Sequence, residues 1–157
     1  RSTRGRSSAA SDVYKRQIGY SFGRQVTITN MHTLLANALF ADAVPLHTDD
    51  EAGASSMYGR RIAPGPLVAG IAAVTLGMHL DGAAVGYLEQ VERFKGPIHP
   101  GDTVSVEWTV ASKTPKPRFK GGIVVFEGVC RNQHGQAVME LGGTAIISNA
   151  PDELGEE

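Results

Sequence analysis

The chain has 157 residues, of which 41% are hydrophobic and only 6% aromatic, with 15 Lys and Arg against 16 Asp and Glu. That length suits one domain around one core, and the near balance of charge excludes the strongly basic field that recruits nucleic acid or an anionic membrane surface. The single cysteine, Cys130, has no partner for an internal disulfide and lies in an alternating apolar segment, so we expect a small buried side chain in a reducing, cytoplasmic setting.

Residues 1–17 stand apart from the rest. Arg1 to Asp12 is polar and small, with no apolar period and no signal-peptide core. Ser8 to Gln17 resembles translated sequencing-adaptor or library sequence; the alternatives are a basic disordered leader or a transit-like segment. We expect a single domain over 18–149, preceded by this non-native or disordered leader and followed by a flexible tail at 150–157.

From Gly23 the chain becomes ordered. Gln25 to Thr29 is β-prone, and Thr29 or Asn30 can cap a helix over Met31 to Phe40. Residues 48–61 are rich in Asp, Gly, Ser and Ala and read as a short helix or loop. Leu67 to Met78 is apolar nearly all round, too short for the ~20 residues that cross a bilayer, and carries Gly70, Ala73 and Gly77, small residues that a curved sheet can approach closely. Gly82 suits a left-handed cap beyond its end. Four β-rich segments follow, Val85 to Phe94, Thr103 to Ser112, Gly122 to Arg131 and Ala137 to Ser148. Turns are expected at Gly96-Pro97, Pro100 to Asp102, Pro115 to Pro117 and Asn132 to Gly135. An α+β domain results, with antiparallel strands wrapped around the long hydrophobic helix.

The chemistry lies in Ala41 to His47, where a carboxylate and an imidazole stand five positions apart across Pro45, which stops any helix between them. One turn thus holds two proton-transfer groups, the pairing that addition or elimination of water requires. Taken singly, Asp42 suits an Asx turn and His47 a bond to a carbonyl. His32, His79, His99 and His134 have no ligand spacing, so no metal is expected. The chain holds neither Gly-x-Ser-x-Gly nor a phosphate-binding glycine loop.

The run Phe40 to His47, with Thr48-Asp49 and then Gly59 to Gly65, resembles the hydratase 2 signature of MaoC-like (R)-specific enoyl-CoA hydratases. That family usually reads Gly-Asp-x-Asn-Pro-Leu-His and then Arg-Ile-Ala-His-Gly. The likeness spans about residues 24 to 148. Asp42, Pro45, Leu46, His47, Arg61, Ile62, Ala63 and Gly65 match, whereas Val44 stands in place of Asn and Pro64 in place of His.

The resemblance implies a hot-dog fold, a homodimer or higher homo-oligomer, and reversible hydration of trans-2-enoyl-CoA to (3R)-hydroxyacyl-CoA in fatty acid metabolism. Coenzyme A thioester is then the substrate, with no cofactor, nucleic acid or membrane partner. Asp42 and His47 are the implied base and acid, and the amide of Gly65 the implied donor to the thioester oxygen. Val44, Pro64, Arg60 and Arg61 are the implied substrate contacts, the first two with fewer polar groups than usual and hence reduced activity or altered preference. Lys113, Lys116, Arg118 and Lys120 form a second basic group able to meet phosphate. The alternatives are a non-catalytic acyl-CoA-binding partner subunit and a thioesterase on the same fold.

Overall fold

The computed structural model describes residues 14–148. Residues 1–13 of the leader and the tail at 150–157 lie outside the described residues; within 14–17, Lys113 Nζ donates to the carbonyls of Tyr14 and Arg16, and the Tyr14 ring packs against the core.

Strand β1 (Ser21–Thr27) leads into helix α1 (Asn30–Phe40). β1 begins earlier than expected from Gln25, because β3 (Thr103–Lys116) pairs with it antiparallel from Ser21↔Thr109 to Thr27↔Thr103. Thr29 caps α1 as expected. Its Oγ1 accepts from the His32 amide and its own amide donates to His32 Nδ1, both at 3.1 Å, a reciprocal pair of bonds that satisfies two otherwise open donors.

Two short helices follow, α2 (Pro45–Thr48) and α3 (Asp50–Ser55), then the long α4 (Gly65–His79). As the sequence reading has it, no helix runs from Asp42 through Pro45. α1 has already stopped at Phe40, with Ala41 left-handed, and Pro45 instead opens α2 at its first turn, where the missing N–H is no loss.

Beyond α4 come β2 (Ala84–Phe94), β3, β4 (Gly121–Arg131) and β5 (Ala137–Ser148). All pairings are antiparallel, in the order β1-β3-β4-β5-β2. The turn expected at Pro115 to Pro117 is displaced: β3 runs on through Lys116, with Pro115 opposite Gly122, before a 3₁₀ turn over Pro117–Phe119. Proline is tolerated there because β1 pairs no further along β3 than Thr109, so Pro115 lacks a ladder partner on that side.

α4 lies on the sheet as expected, but by a different face. Val68, Ala72, Thr75 and Leu76 are buried in the core with Trp108, Phe126 and Met139, whereas Gly70 and Gly77 are exposed, with open space where a Cβ would stand. Burying the larger side chains removes more apolar surface from water, so they win the sheet-facing side. The Trp108 Nε1–H donates to the Ala72 carbonyl at 3.0 Å, and Gln90 Nε2 reaches the Ala69 carbonyl from β2 at 3.0 Å. Gly82 takes the expected left-handed conformation (φ 76) just past the helix end. Cys130 is fully buried, and burial pushes its thiol up to about 11. Among the described residues no helix is long and apolar enough to cross a membrane.

Candidate active site

Asp42 is placed by the end of α1. Ala41 takes φ 52 and ψ 36, which turns the chain so that the Asp42 amide donates to the Asn37 carbonyl at 2.8 Å. The carboxylate then curls over the next residues: Oδ1 accepts from the Val44 amide at 3.0 Å, an Asx turn that leaves Oδ2 directed to His47.

His47 sits in the single turn of α2. Its Nδ1 lies 2.9 Å from the Ile62 carbonyl oxygen. A carbonyl only accepts, so Nδ1 carries the proton and Nε2 is the working position of the ring. Nε2 and Asp42 Oδ2 are 3.9 Å apart, with the side chains 15% and 21% exposed. That gap exceeds a direct hydrogen bond and suits a pair that shares a third, hydrogen-bonding molecule.

The segment 60–63 is stitched to its surroundings on both sides. The Ile62 amide donates to the Leu46 carbonyl at 3.3 Å and the Ala63 amide to the Ile98 carbonyl at 2.7 Å. Gly53 permits the close approach of α3, since a Cβ there would stand 2.3 Å from the Arg61 nitrogen. The same segment carries the acceptor that orients His47 and then feeds into Gly65, so the two halves of the motif meet in space.

His47 stands on the wall of two clefts. One, of about 540 Å³ and mostly apolar, is lined by His47, Met57, Tyr58, Gly65, Val68 and Phe94 together with Lys95 to Ile98. The other, of about 520 Å³, brings His47 together with Asp42, Asn37 and Arg61. Gly65 opens α4, so its amide is one of the four with no intrahelical acceptor. Pro64 precedes it, buried. Val44 is half exposed and absent from the walls of both clefts; it meets Asp42 through its amide.

The structure separates the two arginines. Arg61 lines the cleft of Asp42, with Nε 2.6 Å from Asp50 Oδ1 and Nη2 3.1 Å from Asn30 Oδ1. Arg60 is 59% exposed at its side chain and lies on a third, polar cleft of about 390 Å³, shared with Lys95, His99 and His134. This cleft has Lys95, Gly96 and Pro97 in common with the apolar one. Asp102 anchors Arg60 at 3.3 Å. Burial alone would raise the Asp102 carboxyl, but bonds from the His99 amide and Gln133 and the charges of Arg60 and His99 together hold it below its ordinary value. The basic group at Lys113 to Lys120 lies elsewhere. It begins 11 residues along β3 from Asp102, about 35 Å for an extended strand.

Several lining residues had no place in the sequence reading. Phe94 reaches the apolar cleft from β2, and Met57 and Tyr58 from the loop after α3; nothing local marks them. The Ile62 carbonyl is main chain and invisible to any motif. Asn37 did carry a signal, an amide in the middle of the apolar run Leu34 to Phe40.

The MaoC like domain family matches residues 15–126. The (R)-specific enoyl-CoA hydratase of Rhodospirillum rubrum is 31% identical over 129 residues, 82% of this chain and 86% of the relative. That of Aeromonas caviae is 38% identical over 106 residues, 66% and 79% of the two chains. Among solved structures, the unliganded R-hydratase PhaJ1 of Pseudomonas aeruginosa superposes with a TM-score of 0.77 at 25% identity, covering 86% of this chain and 84% of that one. The five-stranded antiparallel sheet on one long helix is the hot-dog fold, and the chain belongs to the MaoC-like family.

Proposed function

We propose that the chain is a hydro-lyase that adds water reversibly to a trans-2-enoyl-CoA, giving a (3R)-hydroxyacyl-CoA. The observation that carries this is the apposition of Asp42 Oδ2 and His47 Nε2 across 3.9 Å at the junction of two clefts. Hydration puts the oxygen of water on the β-carbon and a proton on the α-carbon. Water held between the pair gives a proton to one member as its oxygen adds, and the α-carbon receives a proton from the pair on the same face. With Nδ1 committed to Ile62, His47 exchanges protons only through Nε2.

Charge that develops on the thioester oxygen is met by the Gly65 amide at the N-terminus of α4, a 15-residue helix. A donor so placed is worth about 3 kcal/mol in the transition state. Pro64 fixes the backbone leading into that amide. Val44 serves by holding Asp42 Oδ1 through its own N–H. The acyl chain takes the apolar cleft under Phe94, and the phosphates of the carrier take the adjoining polar cleft, where Arg60 and Lys95 supply cations. Arg61 braces the wall beside Asp42 through Asp50 and Asn30.

We also propose a homodimer. Val74 and Met78 on the outer face of α4, with Val85, Tyr87 and Leu88 on the edge strand β2, expose large apolar side chains, and both an apolar patch and an open strand edge are covered when two copies associate. Light scattering tests this. We place the chain in the cytoplasm, where the lone thiol of Cys130 stays reduced.

The functional test is loss of enoyl-thioester absorbance with crotonyl-CoA and longer analogues, with a thiol reagent reporting free CoA. Loss of absorbance without thiol release sustains hydration. Thiol release would make the chain a thioesterase, and binding without turnover a non-catalytic partner subunit.

A further inference from the structure

Asn37 stands in the third turn of α1, only 8% exposed, on the wall of the cleft that holds Asp42 and His47. It is tied to both members of the pair. Its main-chain carbonyl accepts from the Asp42 amide at 2.8 Å, and its side-chain Nδ2–H donates to the His47 carbonyl at 3.4 Å. Its side-chain oxygen, Oδ1, is buried and has no partner among the described residues.

A buried amide oxygen without a donor is costly, and such atoms are nearly always satisfied by protein or by a bound molecule. Nδ2 is held by a carbonyl, so the amide cannot rotate by half a turn without setting two acceptors against each other. The amide is therefore held in one orientation on the cleft wall that it shares with Asp42 and His47. Every neighbour that lines this cleft with Asn37 and offers a side-chain donor already has another engagement: Arg61 with Asp50 and Asn30, Thr48 with the Val44 carbonyl, and His47 Nδ1 with Ile62. None of these bonds supplies Oδ1 with a donor, and a small hydrogen-bonding molecule held in the cleft would supply one.

We propose that Asn37 is a third polar group of the active site: its Oδ1 accepts a hydrogen bond from the water that is added, while its two bonds to Asp42 and His47 hold the spacing of the pair. Water has two O–H groups. One is directed to the proton acceptor of the pair and the other to Asn37 Oδ1, which leaves an oxygen lone pair aimed at the β-carbon. No atom is transferred to Asn37, and the reaction balances as hydration does without it. The inference rests on the hydratase reading above.

The test compares wild type with Asn37→Ala, Asn37→Asp and Asn37→Ser in the full chain, reading kcat and KM for crotonyl-CoA hydration, thermal stability, and the pH–rate profile. For Asn37→Ala we expect kcat per folded molecule to fall on the order of 10²-fold with KM changed far less. Asn37→Asp keeps an acceptor but adds negative charge beside His47, so it should retain more activity than the alanine variant and move the acid limb of the profile to higher pH. Asn37→Ser retains a small acceptor and stands in should the alanine variant not fold. Unchanged kcat per folded molecule in the alanine or serine variant, with only the melting temperature lowered, would reduce Asn37 to a helix-packing residue and leave the hydratase reading intact. A wild-type chain that does not hydrate any enoyl-CoA would overturn both.

Discussion

The ring of Phe94 lies over Gly65 so closely that a Cβ built on the glycine would stand 3.0 Å from Phe94 Cζ. The first amide of α4 is thus roofed by an aromatic side chain from β2 that is itself half exposed. Gly65→Ala forces the ring aside by a few tenths of an ångström. Because Phe94 is at the surface, stability should change by less than about 1 kcal/mol, whereas hydration of enoyl-CoA should fall through a raised KM. Pairing it with Phe94→Ala in a double-mutant cycle should give a non-additive result. Additive effects would show that the contact does not matter to the site.

The pair should behave as one unit. Asp42→Asn and His47→Gln are each expected to lower kcat by about 10²–10⁴-fold, and the double variant should be no worse than the weaker single. Multiplicative losses in single-turnover kinetics would argue that the two groups act in separate steps.

Ala41 carries a strain that can be relieved. Its φ of 52 lies where a side chain costs roughly 1–2 kcal/mol, and glycine there forfeits about 0.4–1 kcal/mol through the unfolded chain. Ala41→Gly should therefore stabilise the fold by about 0.5–1 kcal/mol, and the related hydratase motif has glycine at this place. Urea denaturation reads the difference; a less stable variant would mean that the turn before Asp42 is not strained.

Acid should weaken the fold through His79. Its ring stacks on Phe22 with centroids 3.6 Å apart, and its Nε2 is buried with no partner among the described residues. Burial, and then the charge of Arg16, hold the imidazole below its ordinary value of 6.5. The unfolded chain thus binds the proton more readily than the folded one, so this contribution is complete above pH 6.5 and is lost as pH falls below it. His79→Phe keeps the stack and removes the titrating group. Its melting temperature should drop less than that of wild type between about pH 7 and pH 5; parallel slopes would assign the acid sensitivity to other groups.

The elements were legible to different degrees. Thr29 as a cap, the strands from β2 to β5 and the hydrophobic α4 follow from residues close in the chain, because capping, alternation and turn chemistry are local. The turn expected at Pro115 is displaced for a reason that no local signal carries. A proline breaks a helix or ladder only where a bond would otherwise run through it, and whether one does depends on what lies alongside. The face of α4 was misjudged because small residues permit close approach without requiring it.

By itself the sequence determined that one α+β domain forms around a single apolar helix, and that Asp42 and His47 share one turn ahead of Gly65. Both are consequences of spacing within a few residues. Only the tertiary structure decided which nitrogen of His47 faces Asp42, that Arg60 and Arg61 part to different clefts, that Phe94 roofs Gly65, and that the amide of Asn37 is left with an open acceptor. Each of these turns on a contact between residues brought together by packing, such as the Ile62 carbonyl at His47 or Asp50 at Arg61. Such contacts carry no periodicity along the chain, so their energies are settled only when the sheet closes on α4 and the helices before it.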